Sequence, residues 1–284
     1  MTNCDFCGSN KNFDFISTQD RFTNEEFQYV KCLRCGLIFL KHIPSKDEIL
    51  RYYPNNYEAY SGIKKKKVLE KTIKYIKKYK NNPSSILDIG CSTGEFLEAI
   101  KFNGIKNVYG IELNEVISDI AKEKGIKIVG STIDDLQPND RGYDIITLWD
   151  VFEHLPNPRS SLEKIFSILN PGGYLFMSIP NLDSFDRYIF GQKWIGWDAP
   201  RHLYLYDNKL IEKVLIESGF SFEFTHCITG AKGAFNLSMD KLIGKSISDT
   251  ITVRFLSLFL WPYRQISYLI KRAPVITVVA KKLY

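Results

Sequence analysis

The chain reads as an α/β protein, a doubly wound and mostly parallel sheet preceded by a small cysteine-rich module. Three observations lead there. The first is Ile86-Leu-Asp-Ile-Gly-Cys-Ser-Thr-Gly-Glu-Phe-Leu97, where a short apolar run, a tight glycine turn and a helix start follow one another. The second is the alternation of strand-like and helix-like segments from Ile86 onward. The third is a pair of Cys-x-x-Cys-Gly knuckles ahead of that alternation, Cys4-Asp-Phe-Cys7-Gly8 and Cys32-Leu-Arg-Cys35-Gly36.

Two cysteines at knuckle spacing turn both sulfurs toward one ion, and the following glycine lets backbone N–H groups face the thiolates. Two such pairs make Cys4, Cys7, Cys32 and Cys35 a tetrahedral ligand set for structural Zn2+, with no open position for catalysis. Residues 1–44 are therefore expected to form a zinc-ribbon module, with a strand-like piece at 27–31. Residues 45–82 read as a linker with tyrosines at 52, 53, 57 and 60, then a cationic helix from Lys64 to about Lys80. Leu69, Ile73 and Ile76 give that helix an apolar stripe, so its lysines read as a solvated face. A sharper reading of the same lysines is peripheral contact with an anionic membrane or attraction to a phosphorylated substrate.

Residues 83–284 are expected to form one domain. Helices are expected at 95–102, stopped by Gly104, at 114–124, closed by Gly125, at 160–169, and at 208–218, ended by Gly219. Strands are expected at 86–88, 107–112, 126–129, 143–148, 174–179, 222–228 and 275–280, with a turn at Asn170-Pro-Gly-Gly173. A helical insertion is expected over about 232–273, including the aromatic run Phe255-Leu-Ser-Leu-Phe-Leu-Trp261.

The turn after Ile89 has several potential uses. A phosphate loop needs a Gly-Lys-Ser/Thr ending, and no lysine follows Gly94 until Lys101. A dinucleotide fingerprint needs a third glycine one residue further on. Gly90-Cys-Ser-Thr-Gly94 also matches a hydrolase nucleophile elbow, but the chain before Ile86 carries neither a strand series nor an oxyanion loop. Asp88-x-Gly90-x-Ser92-x-Gly94 resembles motif I of class I S-adenosylmethionine-dependent methyltransferases, with Ser92 where the middle glycine usually stands. Glu112, at the end of the next strand, is placed to accept both ribose hydroxyls of an adenosyl group. Trp149-Asp-Val-Phe-Glu-His-Leu155 and Leu169-Asn-Pro-Gly-Gly-Tyr-Leu175 resemble later segments of the same superfamily. Trp194-x-x-Trp197-x-x-Pro200-Arg-His202-Leu-Tyr is similar to a subfamily found in surface-polysaccharide and natural-product pathways, whose members commonly carry a four-cysteine zinc module.

The resemblance implies a Rossmann-like sheet of seven strands whose last strand is antiparallel. It implies S-adenosylmethionine bound by Asp88, Gly90, Cys91, Ser92, Gly94 and Glu112, with Ser131 or Thr132 at the position that faces the adenine, Ile133 packing on its ring, and Asp150 at the fourth strand end. His154 and His202 are candidate general bases, with Glu153 beside them. His202 is preferred because Trp194, Trp197, Arg201, Tyr204 and Tyr206 form a segment suited to a polar ligand. The implied reaction is methyl transfer to a small molecule, a sugar or nucleotide-sugar first and an isoprenoid or quinone-like acceptor second. A zinc-ribbon binding protein with an inactive methyltransferase domain is the non-enzymatic alternative, and the intact Asp88, Gly90, Gly94 and Glu112 argue against it.

Composition bounds the partners. The net charge of +6 is modest, and Lys11, Arg21 and Lys31 in the cysteine module are offset by Asp14, Asp20, Glu25 and Glu26. That balance argues against a nucleic-acid face. The N-terminus lacks the basic and apolar regions of a signal peptide, and no run approaches the roughly 20 apolar residues of a membrane span. A cytoplasmic protein with reduced thiols is expected, reaching at most the inner face of the membrane.

Overall fold

The computed structural model describes residues 3–45, 48–49, 51–53, 66–137, 142–227, 231–244 and 261–284. Strands β1 (Asn12–Gln19), β2 (Glu26–Cys32) and β3 (Ile38–Leu40) pair antiparallel in sequence. The fourth strand of their sheet, β9 (Tyr204–Leu205), comes from far along the chain, with Ile38 opposite Leu205 and Phe39 opposite Tyr204. The cysteine module thus shares a sheet with the segment that follows His202.

The second sheet has seven strands. They are β4 (Ser85–Ile89), β5 (Asn107–Ile111), β6 (Lys127–Gly130), β7 (Tyr143–Trp149), β8 (Leu169–Pro180), β10 (Ser221–His226) and β11 (Val275–Lys281). Their order is β10-β11-β8-β7-β4-β5-β6. Pairings from β8 through β7, β4 and β5 to β6 are parallel, and β11 runs antiparallel to both β8 and β10. Crossover helices force this parallel arrangement and cover both faces. Strand periodicity divides the core between them: Ile86 and Ile145 pack on one face, Leu87 and Ile146 on the other. The first face holds Ile73 and Ile76 of α1 (Lys66–Tyr79) with Phe96, Leu97 and Ile100 of α2 (Glu95–Phe102), and Ala121 of α3 (Glu115–Glu123). The second holds Leu162 and Ile165 of α4 (Pro158–Ile168) with Leu210 and Val214 of α6 (Asn208–Glu217), which follows the short α5 (Phe185–Phe190). Helices α7 (Ala231–Ile243) and α8 (Trp261–Leu269) precede β11. This is a Rossmann-like fold with a mixed seven-stranded sheet.

One local expectation changes. The stretch at 170–173 is no free turn, because β8 already begins at Leu169, opposite Tyr143. Gly172 donates its N–H to the Lys282 carbonyl (2.7 Å) and Lys282 donates to the Gly173 carbonyl (3.0 Å), which carries the β8–β11 ladder through the glycines. The aromatic run at 255–260 and Lys64, Lys65, Tyr57 and Tyr60 lie outside the described residues. Among the described residues no helix is long and apolar enough to cross a membrane.

Candidate active site

The site is built where β4, β5, β6 and β7 end. After β4 the chain turns through Gly90 (φ +74°), Ser92 (φ +50°) and Gly94 (φ +80°), left-handed values that favour glycine. A Cβ at Gly90 would lie 2.5 Å from Val151 Cγ2, so the turn and the segment after β7 approach too closely for a side chain. Gly90 and Cys91 donate their N–H groups to the Ile111 carbonyl (2.8 and 3.0 Å), which ties the turn to the end of β5. Cys91 faces inward: its sulfur sits where a Cβ on Gly110 would be 2.5 Å away, and burial pushes its thiol well up.

Two carboxylates flank this turn. Asp88 is 3% exposed and accepts a hydrogen bond from Thr147 Oγ1 (2.6 Å). Burial pushes its carboxyl up to about 7, against the Thr147 hydrogen bond and with the charge of Glu112 adding to the rise. Glu112 follows β5; its Oε2 accepts from the Ser92 N–H (2.9 Å) and its Oε1 from the Asn114 N–H (3.0 Å). Burial raises its carboxyl as well, opposed by these backbone bonds. Each oxygen keeps lone-pair capacity for a further donor, which suits a vicinal diol.

Beyond β6, Asp135 accepts from the N–H groups of Ser131 (2.7 Å) and Thr132 (2.8 Å), which fixes the turn carrying Thr132. Ile133 is 5% exposed within the apolar cluster, so its bulk lies in the core. Beyond β7, Asp150 takes a left-handed conformation (φ +56°) and is exposed. Its N–H and carboxylate both bond Ser178 Oγ (2.9 and 2.8 Å).

The chain then enters a single 3-10 turn, Phe152–His154, that brings Glu153 and His154 against His202. Glu153 is 1% exposed, and His202 Nε2 lies 3.9 Å from its Oε1. The two imidazoles meet edge to face with centroids 4.8 Å apart. His154 Nδ1 lies 2.9 Å from the Arg201 carbonyl and His202 Nδ1 lies 2.8 Å from the Gly196 carbonyl. A carbonyl only accepts, so each Nδ1 carries the proton and each Nε2 offers a lone pair. Burial lowers both imidazoles, His154 to about 3 with the His202 charge adding to the fall. Burial, then the charge of Asp150, pushes the Glu153 carboxyl well above its ordinary range.

The segment expected to line a polar-ligand site is interior packing. Trp194, Trp197, Arg201, Tyr204 and Tyr206 are 0%, 1%, 1%, 2% and 1% exposed. Arg201 spends its guanidinium on Asp198 (2.9 and 2.7 Å) and on Asp20 of the cysteine module (2.7 Å). Burial opposes ionisation of Asp198, yet the hydrogen bonds and charge of Arg201 hold its carboxyl far below the usual range. Tyr29 of β2 donates toward the Trp197 and His202 carbonyls, the latter at 2.6 Å. The loop carrying His202 is therefore positioned by the cysteine module. Sequence reasoning missed Asp20, Tyr29, Thr147 and Ser178. The latter two carried a signal, a hydroxyl inside an otherwise apolar buried strand; the former two act through contacts that no local pattern announces.

The four knuckle cysteines converge. Cys4 and Cys35 sulfurs are 3.5 Å apart, as are those of Cys7 and Cys32, and all four lie within 4.8 Å of one another. Gly8 and Gly36 close the knuckles with left-handed φ values and N–H bonds to the Cys4 (2.8 Å) and Cys32 (3.0 Å) carbonyls.

Comparison with known proteins places this geometry. Ubiquinone biosynthesis O-methyltransferases from Shewanella pealeana and Marinobacter nauticus are 31% and 36% identical over 119 and 104 residues, or 39% and 34% of this chain. These matches cover 50% and 43% of the relatives, so the chain spans about half the length of the curated proteins it matches. Among solved structures, a putative methyltransferase from Bacillus halodurans is similar with a TM-score of 0.52 at 22% identity, over 76% of this chain and 99% of that one. The plantazolicin methyltransferase BpumL, solved with SAH, gives 0.52 at 20% identity, over 85% and 91%. These likenesses concern the fold. The family described as a methyltransferase domain matches residues 62–223, which take in the β4 turn, the Glu112 strand end and the Glu153–His154–His202 cluster. With more than half of the chain matched, the protein belongs to the methyltransferase domain family.

Proposed function

We propose that the protein is an S-adenosylmethionine-dependent O-methyltransferase acting on a small acceptor with an acidic hydroxyl, of the phenolic or quinone-like kind. The observation that carries this reading is the pair of neutral imidazoles beside Glu153 at the carboxyl end of β7. S-adenosylmethionine supplies a methyl group already activated on a sulfonium, so the protein's work is positioning, exclusion of water and acceptance of one proton. Glu112 receives the ribose hydroxyls, while Asp88 and the Gly90–Gly94 turn lie under the cofactor. Thr132 stands beside the adenine and Asp150 faces the donor end. His202 and His154 present Nε2 lone pairs to the acceptor. Imidazoles held below their ordinary range by burial are weak bases, matched better to a phenol near pKa 10 than to an aliphatic hydroxyl nearer the roughly 15.7 of water.

The sugar reading loses its support in two places. The aromatic segment that favoured it is buried, and the named relatives act in ubiquinone biosynthesis. Cys4, Cys7, Cys32 and Cys35 would hold a structural Zn2+: sulfurs on a tetrahedral zinc with bonds of about 2.3 Å are spaced by about 3.8 Å, within the observed spread. Zinc there would brace the module that carries Tyr29 and Asp20. Labelled methyl transfer to a panel of catechols, quinols and nucleotide-sugars tests the reading. Labelling of phenolic oxygen supports it, and labelling confined to nucleotide-sugars refutes it.

A further inference from the structure

Lys241 is a largely buried cation that meets no anion of its own. Its ammonium, on α7, donates to Thr18 Oγ1 of β1 (3.2 Å), and that neutral hydroxyl donates onward to the Gln192 carbonyl (3.0 Å). Burial pushes the ammonium down to about 8; Asp198 opposes the fall, while Lys193, Arg21 and Arg201 add to it. A cation withdrawn from water is costly unless an opposite charge meets it.

The nearby acids are already taken. Asp198 holds Arg21 (3.3 Å) and Arg201 (2.7 Å), and Asp20 also holds Arg201 (2.7 Å), so two carboxylates balance two guanidiniums. Among the described residues neither Lys193 nor Lys241 belongs to an ion pair. Both line a cavity of about 130 Å³ together with Ser17, Thr18, Gln192 and Glu26. Glu26 is the one acid in that lining and is exposed; two lysines against one glutamate leave a net positive charge.

The cavity lies where three parts of the chain meet. Strand β1 brings Thr18 of the cysteine module, the segment 191–197 brings Gln192 and Lys193, and α7 brings Lys241. One turn before Lys241, Ser238 Oγ accepts the Ile195 N–H (3.0 Å), which seats α7 on the same segment. That segment runs on into Asp198, Arg201 and His202.

We infer that this joint binds a tetrahedral oxyanion, inorganic phosphate or the phosphate of a phosphomonoester, between Lys193 and Lys241, and that its occupancy fastens the cysteine module and α7 to the segment leading to His202. An ammonium carries three N–H donors, so Lys193 offers three and Lys241 two beyond its bond to Thr18. Five donors on two cations match the several oxygens and near-double charge of phosphate better than a single carboxylate. The volume takes several waters or one such group. The inference is independent of the acceptor chosen for methyl transfer.

The test titrates inorganic phosphate calorimetrically into full-length protein in phosphate-free buffer. One saturable site per chain is expected, with Lys241→Met and Lys193→Met each weakening it at least about tenfold. Lys209→Met, an exposed lysine on α6, should leave it unchanged. Phosphate should raise the melting temperature of the parent; Lys241→Met, relieved of an unpaired buried charge, should melt no lower than the phosphate-free parent and gain nothing from phosphate. Two readouts need no variant. Phosphate should protect Lys193 and Lys241, but not Lys209, from amine acylation followed by mass spectrometry, and should slow amide hydrogen exchange across 191–198 and 231–243. Methyl phosphate binding as well as the free ion assigns the site to phosphomonoesters, and its exclusion assigns it to inorganic phosphate. Folded protein with no saturable phosphate site, phosphate that protects neither lysine, or Lys241→Met that binds it as well as the parent overturns the inference and leaves methyl transfer standing.

Discussion

Replacing Glu112 by alanine removes the carboxylate at the end of β5 that, on the proposed reading, accepts the ribose hydroxyls. Two hydrogen bonds to a charged acceptor contribute about 1.5 kcal/mol each, so about 3 kcal/mol of binding is lost and Kd rises roughly a hundredfold. The substitution also strips acceptors from the Ser92 N–H (2.9 Å) and Asn114 N–H (3.0 Å), which loosens the turn itself. Glu112→Gln separates the effects, since its one carbonyl oxygen still takes one backbone N–H while the charge is gone. Isothermal titration with S-adenosylmethionine measures both variants, and thermal melts confirm that each is folded. The expected order of affinity is parent, then Gln, then Ala. A folded Glu112→Ala protein that binds as tightly as the parent refutes the placement of the cofactor.

Gly90→Ala puts a Cβ 2.5 Å from Val151 Cγ2 at φ +74°, so it should destabilise by about 1–3 kcal/mol and weaken cofactor binding, read by denaturant midpoint and titration. Tyr29→Phe removes the donor to the Trp197 and His202 carbonyls; kcat should fall while S-adenosylmethionine affinity holds, because only the loop carrying His202 is released. Two buried groups pull acid stability in opposite directions. Asp88, raised to about 7, contributes stability that is fully present below its unfolded pKa of 3.8 and lost as pH rises through about 7. His154, lowered from 6.5 to about 3, contributes stability present above pH 6.5 and lost as pH falls toward 3, where the unfolded chain takes up the proton and the folded one does not. Relative to the parent, Asp88→Asn should lose stability by about 1.4 kcal/mol per pH unit as pH falls between about 6.5 and 4.5 in chemical denaturation, because the contribution that grows with acid is gone.

The elements legible in the sequence are those decided locally. Helix α2 falls at Glu95–Phe102 as expected, because Gly94 and Gly104 punctuate it within one turn of its ends. The central strands are equally plain, since burial on both faces demands unbroken apolar runs. The start of β8 was not legible, because its glycines pair with Lys282, a partner brought in by the last strand. The same holds for Arg201, whose neighbours in sequence suggest a ligand site while its ion pair with Asp20 closes it into the core. The histidines were found from their place after β7 and before β9, but their tautomers and the bare carboxyl of Glu153 exist only in three dimensions.

The most direct measurement is a crystal structure with S-adenosylhomocysteine bound. The account predicts ribose hydroxyls within about 2.6–3.2 Å of both Glu112 oxygens, with the sulfur facing the Glu153–His154–His202 cluster. A ligand whose ribose bypasses Glu112, or whose sulfur faces away from that cluster, would contradict it.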